Sequence, residues 1–199
     1  MSFLVRFAPP SMSTAQYEEV KRSVGDSVGF PPKGLELHIC FGEEGKRRVT
    51  EVWSSMEAFR PFSERLMPAI SAAGIEIEDP EMLPVQSMIV SDEPMPADDT
   101  GQVVRFRPAS LTRAQYDQVS SRLDEQGLFP AKGARLHVLT GEDGTLQVGE
   151  VWAGAEEFDA FFARLQPLME EAGITPTEPE RFPLHKLVVT DAARQHTTA

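Results

Sequence analysis

Apolar and polar residues alternate at the start of this chain. Val5 and Phe7 flank Arg6, and the Pro9-Pro10 pair halts the run, which predicts a short strand. Ser13 or Thr14 then offers a cap, and Tyr17, Val20, Val24 and Val28 recur at helical spacing, so a helix buries one stripe. FPPKG, residues 30 to 34, is a turn, because proline fixes φ and glycine permits a left-handed residue. Leu35 to Phe41 alternates again, with Leu37, Ile39 and Phe41 on one face and His38 and Cys40 on the other. After a GEEG hairpin loop, RRVTEVW returns with Val49, Glu51 and Trp53 on one face and Thr50 and Val52 on the other. Ser54 and Glu57 have capping-box spacing, opening a second helix whose stripe is Phe59, Phe62, Leu66 and Ile70, with Gly74 at its end. VQSMIV supplies a last strand after a Pro-rich connection.

The pattern then repeats. Sliding the chain by about 99 positions aligns Val5 through Asp92 with Val104 through Asp191 without a gap, and roughly four in ten positions are identical. Each copy reads strand, helix, strand, strand, helix, strand, the split βαβ order of a ferredoxin-like sandwich with both helices on one sheet face. The expected fold class is α+β: two tandem ferredoxin-like βαββαβ units forming an intramolecular alpha-beta barrel, the second unit covering the open sheet face of the first. The boundaries that follow are 1–92 for the first unit, 93–101 for an acidic Pro- and Gly-rich linker, 102–191 for the second unit and 192–199 for a flexible tail. In the second copy Ala153 and Gly154 replace the serines before the second helix, so that cap is weaker.

Charge narrows the partners. With 31 acidic against 19 basic side chains the net charge is -12, which repels a phosphate backbone or an anionic membrane surface, so neither nucleic acid nor a membrane is expected. One cysteine, Cys40, rules out an internal disulfide framework, and no N-terminal apolar run resembles a signal peptide or a spanning helix; the expected location is cytoplasmic.

EVWSSMEAFRPF and EVWAGAEEFDAF, each a strand ending in Trp that runs into a helix, resemble the dimeric alpha-beta barrel superfamily, which includes the antibiotic biosynthesis monooxygenase-like proteins and stress-responsive barrel proteins. The resemblance implies a pseudo-dimer within one chain, with a further homodimer open to it. Members include monooxygenases, polyketide cyclases, isomerases, haem enzymes and proteins of no known activity, so the fold is implied more firmly than the chemistry. In the haem-degrading members a histidine on the helix after the Trp-ending strand ligates iron. Phe62 and Phe161 stand in that neighbourhood here, so haem is not expected and no tightly bound cofactor is implied.

In ferredoxin-like strand order the third strand lies between the first and second. Arg6, Glu51 and His38 are therefore expected in lateral register with Trp53 at the rim, and likewise Arg105, Glu150, His137 and Trp152, facing the space between the two sheets. On the functional reading Glu51 orients His38 as a general acid or base, Arg6 holds an anionic oxygen and Trp53 is an apolar wall. On the plainer reading Arg6 and Glu51 neutralise each other and His38 is a hydrogen-bonded core residue. Tyr17 and Tyr116 occupy matching helix positions, as packing residues or as ligand contacts. His38, His137, His185 and His196 do not fall at metal-site spacings, and no phosphate loop, nucleophile elbow or dinucleotide fingerprint occurs. Cys40 on its strand reads as a small buried hydrophobe. The copies differ where Cys40, Phe41, Gln86, Ser87 and Met88 of one face Leu139, Thr140, His185, Lys186 and Leu187 of the other, so two unequal sites are expected. The leading expectation is a small-molecule enzyme acting on a small hydrophobic, aromatic or polyketide-like substrate in the inter-sheet cavity. The alternative is a non-catalytic ligand-binding or stress-response protein.

Overall fold

The computed structural model describes residues 1–92, 101–175 and 177–195. Most of the expected linker, 93–100, and the chain end, 196–199, lie outside the described residues. Among those described there are eight strands and five helices: β1 (Phe3–Phe7), α1 (Thr14–Val28), β2 (Leu35–Phe41), β3 (Arg48–Trp53), α2 (Met56–Ala72), β4 (Glu81–Val90), β5 (Gln102–Phe106), α3 (Arg113–Glu125), β6 (Ala134–Thr140), β7 (Gln147–Trp152), α4 (Ala155–Glu171), β8 (Glu180–Val189) and α5 (Asp191–Gln195). The fold is α+β with antiparallel strand pairing throughout its named pairs, and each copy has the ferredoxin-like element order.

Two compact units emerge, Met1–Val85 with Leu184–Gln195, and Gln86–Pro183. The division falls inside the long strands β4 and β8 rather than at residue 92. In unit 1, β1 lies between β3 and the first half of β4, while β2 lies between β3 and the second half of β8, from Leu184 to Val189. In unit 2, β5 lies between β7 and the first half of β8, and β6 pairs with β7. Residues 185 and 186 thus belong to the unit that holds His38, and residues 86 and 87 to the unit that holds His137.

The helices form for the local reasons visible in the sequence. Ser13 caps α1 in a full capping box with Gln16, as Thr112 does α3 with Gln115. The same glutamines reach across to the end of the other helix, Gln16 Nε2 donating to Ala73 O at 3.0 Å and Gln115 Nε2 to Ala172 O at 3.2 Å. This ties the first helix of each unit to the last turn of the second. The cap of α2 is Ser55, which accepts from Ala58 N, and not the expected Ser54; Glu57 falls in the first turn. Gly154 gives α4 no side-chain cap, in keeping with the weaker cap expected there. At the end of α2, Gly74 takes φ 67°, and Ile75 N–H returns to Ile70 O at 3.1 Å, closing the helix with a left-handed residue.

In unit 1 the two helices cover the face of the sheet that carries Val5, Phe7, Cys40 and Trp53, with Tyr17, Val24, Phe59, Phe62, Leu66 and Ile70 buried against it. Burying each such aromatic or aliphatic side chain stabilises the fold by about 1.5–3 kcal/mol before the entropy of ordering is subtracted. Unit 2 repeats the core with Val104, Phe106, Leu139, Trp152, Phe158 and Phe162.

Two edges of the sequence reading move. β4 and β8 begin at Glu81 and Glu180, ahead of the VQSMIV and LHKLVV runs, and continue through Pro84 and Pro183. Pro84 stands opposite Phe3 without breaking the ladder, since pairing resumes with Val85 N–H donating to Ser2 O at 3.1 Å. Residues 192–195, expected as the start of a flexible tail, belong to α5, where Ala193 is fully buried.

Candidate functional site

The site is built on two neighbouring strands. His38 of β2 stands directly opposite Glu51 of β3, and His137 of β6 opposite Glu150 of β7. Residues two apart on a strand share a face, so Trp53 lies beside Glu51 and Trp152 beside Glu150. In unit 1, Glu51 Oε2 accepts from Trp53 Nε1 at 2.9 Å and Glu51 Oε1 meets His38 Nδ1 at 2.9 Å, while His38 Nε2 meets the Tyr17 hydroxyl at 2.9 Å. Unit 2 reproduces the chain of contacts at 2.9, 2.8 and 2.9 Å through Trp152, Glu150, His137 and Tyr116.

Donors and acceptors assign themselves along this chain. Indole N–H only donates, and a carboxylate only accepts, so His38 Nδ1–H donates to Glu51; in the neutral form of the ring this leaves Nε2 as an acceptor for Tyr17 O–H. Each unit therefore holds a Tyr-His-Glu relay whose carboxylate is fixed by a tryptophan. Phe30, from the turn after α1, stands edge-on to His38 at 5.3 Å and 88°, and Phe129 stands so against His137 at 5.4 Å and 88°. The imidazole is gripped from the strand, the helix and the turn.

The relay borders a cavity between helices and sheet. In unit 1 the cavity has a volume of about 60 Å³ and is bounded by Tyr17, His38 and Glu51 together with Phe30, Phe62 and Lys21. Its counterpart in unit 2 measures about 70 Å³, with Tyr116, His137, Glu150, Phe129, Phe161 and Ser120 in the corresponding places. Both walls are mostly apolar, and each space holds several waters or the flat end of a small molecule. His38 is 4 % exposed and His137 9 %.

Three expectations are corrected here. First, His38 and Glu51 face the helices and not the space beyond the other side of the sheet, because Tyr17 of α1 is their partner. Secondly, Arg6 and Arg105 do not join them. Glu51 stands opposite Val5, and Arg6 opposite Thr50, so the register is one residue away from the expected alignment and puts Arg6 on the other face. There Arg6 is ion-paired with Glu81, its neighbour on β4, and Arg105 pairs with Glu180 at 2.9 Å. The expected Arg6–Glu51 neutralisation gives way to Arg6–Glu81. Thirdly, Trp53 and Trp152 are fully buried and pack on Phe62 and Phe161 at 4.9 and 5.2 Å, so they hold the carboxylate rather than wall the cavity.

Tyr17 and Tyr116 are brought to the histidines, which periodicity alone leaves open. Phe30, Phe129, Glu81 and Glu180 escape the sequence reading. The signal for the phenylalanines is present in the FPPKG and FPAKG turns, which keep an aromatic that a turn does not need.

Burial sets the titration of several groups nearby. Loss of water raises the Tyr116 hydroxyl above its ordinary value, against hydrogen bonds from Ser120 and Ser87 that lower it. Burial pushes the Cys40 thiol up to about 12, so this cysteine is a hydrophobe and not a nucleophile. Among the described residues no group of three or more His, Cys, Asp or Glu is placed to hold a metal ion, and no helix is long and apolar enough to cross a membrane.

No family model matches this chain, and no curated protein does. Solved structures do. The chain is similar to a Fusobacterium nucleatum protein named "Putative monooxygenase", with a TM-score of 0.68 at 13% identity over 94% of both chains. It is similar to an anthrone oxidase-like protein, with a TM-score of 0.54 at 14% identity over 96% of this chain and 94% of that one. A heme-binding protein from Thermus thermophilus matches with a TM-score of 0.56 at 10% identity, over 98% of this chain and 94% of that one. At these identities the likeness establishes a shared fold.

Proposed function

We propose that the protein is a small-molecule enzyme that moves a proton between its Tyr-His-Glu relay and an apolar, aromatic or polyketide-like substrate in the helix–sheet cavity. The observation that carries this is the hydrogen-bonded chain from Trp53 through Glu51 and His38 to Tyr17, ending at an apolar cavity and repeated in unit 2. The Tyr17 oxygen takes a proton from an acidic carbon or hydroxyl of the substrate as it passes its own to His38 Nε2. Glu51 then offsets the imidazolium charge, as an orienting carboxylate does for any imidazole base. The substrate anion so formed is electron-rich. With dioxygen as co-reactant it leads to oxygenation, and without it to isomerisation or cyclisation. The names of the structural neighbours favour the first, a monooxygenase type. Arg6 and Arg105 have no part in this scheme, and Trp53 and Trp152 act only through the carboxylates.

Haem, which one neighbour's name raises, does not fit the residues present. Both ring nitrogens of His38 are engaged, by Glu51 and Tyr17, and the position where an iron-ligating histidine would stand is held by Phe62, which lines the cavity. No step is routed through it.

The test is turnover of an anthrone in air, followed by oxygen uptake, with the wild type and with Tyr17→Phe combined with Tyr116→Phe. The proposal expects uptake by the wild type and a loss of about 10²–10⁴-fold in the double variant. Equal rates would remove the relay from the chemistry. A second reading, a ligand-binding or stress-response protein without catalysis, draws support from the small volume of the cavities and the burial of His38. It expects ligand binding with no turnover of any bound compound.

A further inference from the structure

The two relays match, but the residues around their tyrosines do not. In unit 1, Lys21 lines the cavity with its Nζ 5.5 Å from the centre of the Tyr17 ring, and the position 99 residues on is Ser120. His185 stands edge-on to Tyr17 at 5.5 Å, where unit 2 has Gln86, whose Nε2 donates to Gly141 O at 2.8 Å. Lys186 lies opposite Cys40 on the strand beside it, where unit 2 has Ser87, a hydrogen-bond partner of the Tyr116 hydroxyl. Arg47, which donates to Thr14 Oγ1 at 3.1 Å and pairs with Glu44, is replaced by buried Leu146.

The acids, by contrast, are kept. Glu18 and Glu44 of unit 1 correspond to Asp117 and Asp143 of unit 2. Glu18 Oε2 takes Lys21 at 2.8 Å and Glu44 takes Arg47 at 3.6 Å. Beside its tyrosine unit 2 carries Arg113 in place of Thr14, half-exposed and bound to Asp117 at 2.7 Å. Around its tyrosine unit 1 thus sets Lys21, Arg47 and a histidine with Glu18, Glu44 and Glu51, and unit 2 sets Arg113 with Asp117, Asp143 and Glu150. A cation at the edge of an apolar cavity is less screened than one in open water, so Lys21 in one lining and Ser120 in the other bear directly on what enters.

We infer that the two cavities take different charge forms of ligand: the unit 1 cavity an apolar molecule bearing one anionic oxygen group, met by Lys21, and the unit 2 cavity a neutral one, met by Ser120. This rests on the cavities being ligand sites, as in the proposed function, and adds what each admits. The anionic oxygen is that of a carboxylate or of an ionised phenol. Lys21 is the residue placed to meet it, since its side chain lines the cavity while staying partly in water, and Arg47 acts on the same Cys40 and His185 surroundings.

The experiment is an NMR titration of the full chain with benzoate, 4-nitrophenolate above its own pKa, and benzamide. The ring proton signals of His38 and His137 serve as reporters, assigned with single His→Gln variants. Benzoate is expected to shift His38 saturably and to leave His137 in place, while benzamide shifts His137 at equal or lower concentration. A response to benzoate but not 4-nitrophenolate assigns a carboxylate, and the converse a phenolate. Lys21→Ser is expected to weaken the anion about tenfold and Lys21→Arg to restore most of it, with backbone amide spectra unchanged in both. Ser120→Lys is expected to bring the benzoate response to His137. Shifts of both histidines by every probe would overturn the charge division and leave the proposed function standing. Full benzoate affinity in Lys21→Ser would do the same. No shift of either histidine by any probe would overturn both.

Discussion

Unit 1 and unit 2 hold the same four-residue chain to within 0.1 Å in every contact, yet around it Lys21, Arg47 and His185 of one have become Ser120, Leu146 and Gln86 of the other. The difference lies in what each position would strand if it changed. Replacing Glu51 leaves the Trp53 N–H and the His38 Nδ1–H buried without an acceptor, and a buried polar group without a partner costs about 1–3 kcal/mol. Replacing Lys21 by serine strands nothing, because its side chain is 27% exposed and its partner Glu18 reaches solvent. The interior is locked by its own hydrogen bonds, and the rim is free to diverge.

The largest expected effect separates the units by activity. His38→Gln and His137→Gln, made singly, should divide turnover unequally, one costing about 10²–10⁴-fold and the other little, if a single charge form of substrate is used. Steady-state rates on a turned-over substrate decide it, and equal small losses would break the comparison. Glu51→Ala and Glu150→Ala come next. Each leaves an indole N–H and an imidazole N–H buried without an acceptor and should cost about 1–3 kcal/mol of stability for each, alike in both units, as read from denaturant unfolding. A cheap loss in one unit would show that its relay is not the locked structure described.

A smaller effect concerns Cys40, whose counterpart is Leu139. Its thiol, pushed up to about 12 by burial, should resist alkylation at pH 8 in the folded protein and react at once in denaturant. Fast labelling of the native chain would mean that unit 1 opens where it is described as packed. The least effect is in titration. Burial, and then Arg47, lowers the pKa of His185 from its ordinary 6.5. The folded chain therefore takes up this proton later than the unfolded one, so the contribution to stability is full above 6.5 and is lost as pH falls through and below that value. The His185 ring signal should titrate below 6.5, and Arg47→Leu should move its midpoint back up; a midpoint above 6.5 would contradict the placement.

Much of this is legible in the chain. The faces of β2 and β3 follow from alternation, which is why the sequence alone sets His38 beside Glu51. Arg6 is misplaced by the same reasoning because strand order does not fix register, and one residue of slip turns a side chain through the sheet. The direction the pair faces is also misread, since the apolar Leu37, Ile39 and Val52 are as buried as the helix-facing residues and alternation does not say which set meets the helices. The pairing of β2 with the second half of β8, by which His185 comes to stand against Tyr17, joins residues some 146 positions apart, such as Cys40 and Lys186. No local pattern carries it.

The most direct test of the relay is the tautomer of its two histidines, read from nitrogen-15 chemical shifts and long-range proton couplings of the imidazole rings at neutral pH. The account predicts that His38 and His137 both carry the proton on Nδ1, with that proton far downfield in its bond to the glutamate, and that Nε2 is bare toward tyrosine. Rings protonated on Nε2, or averaging between the two forms, would contradict it.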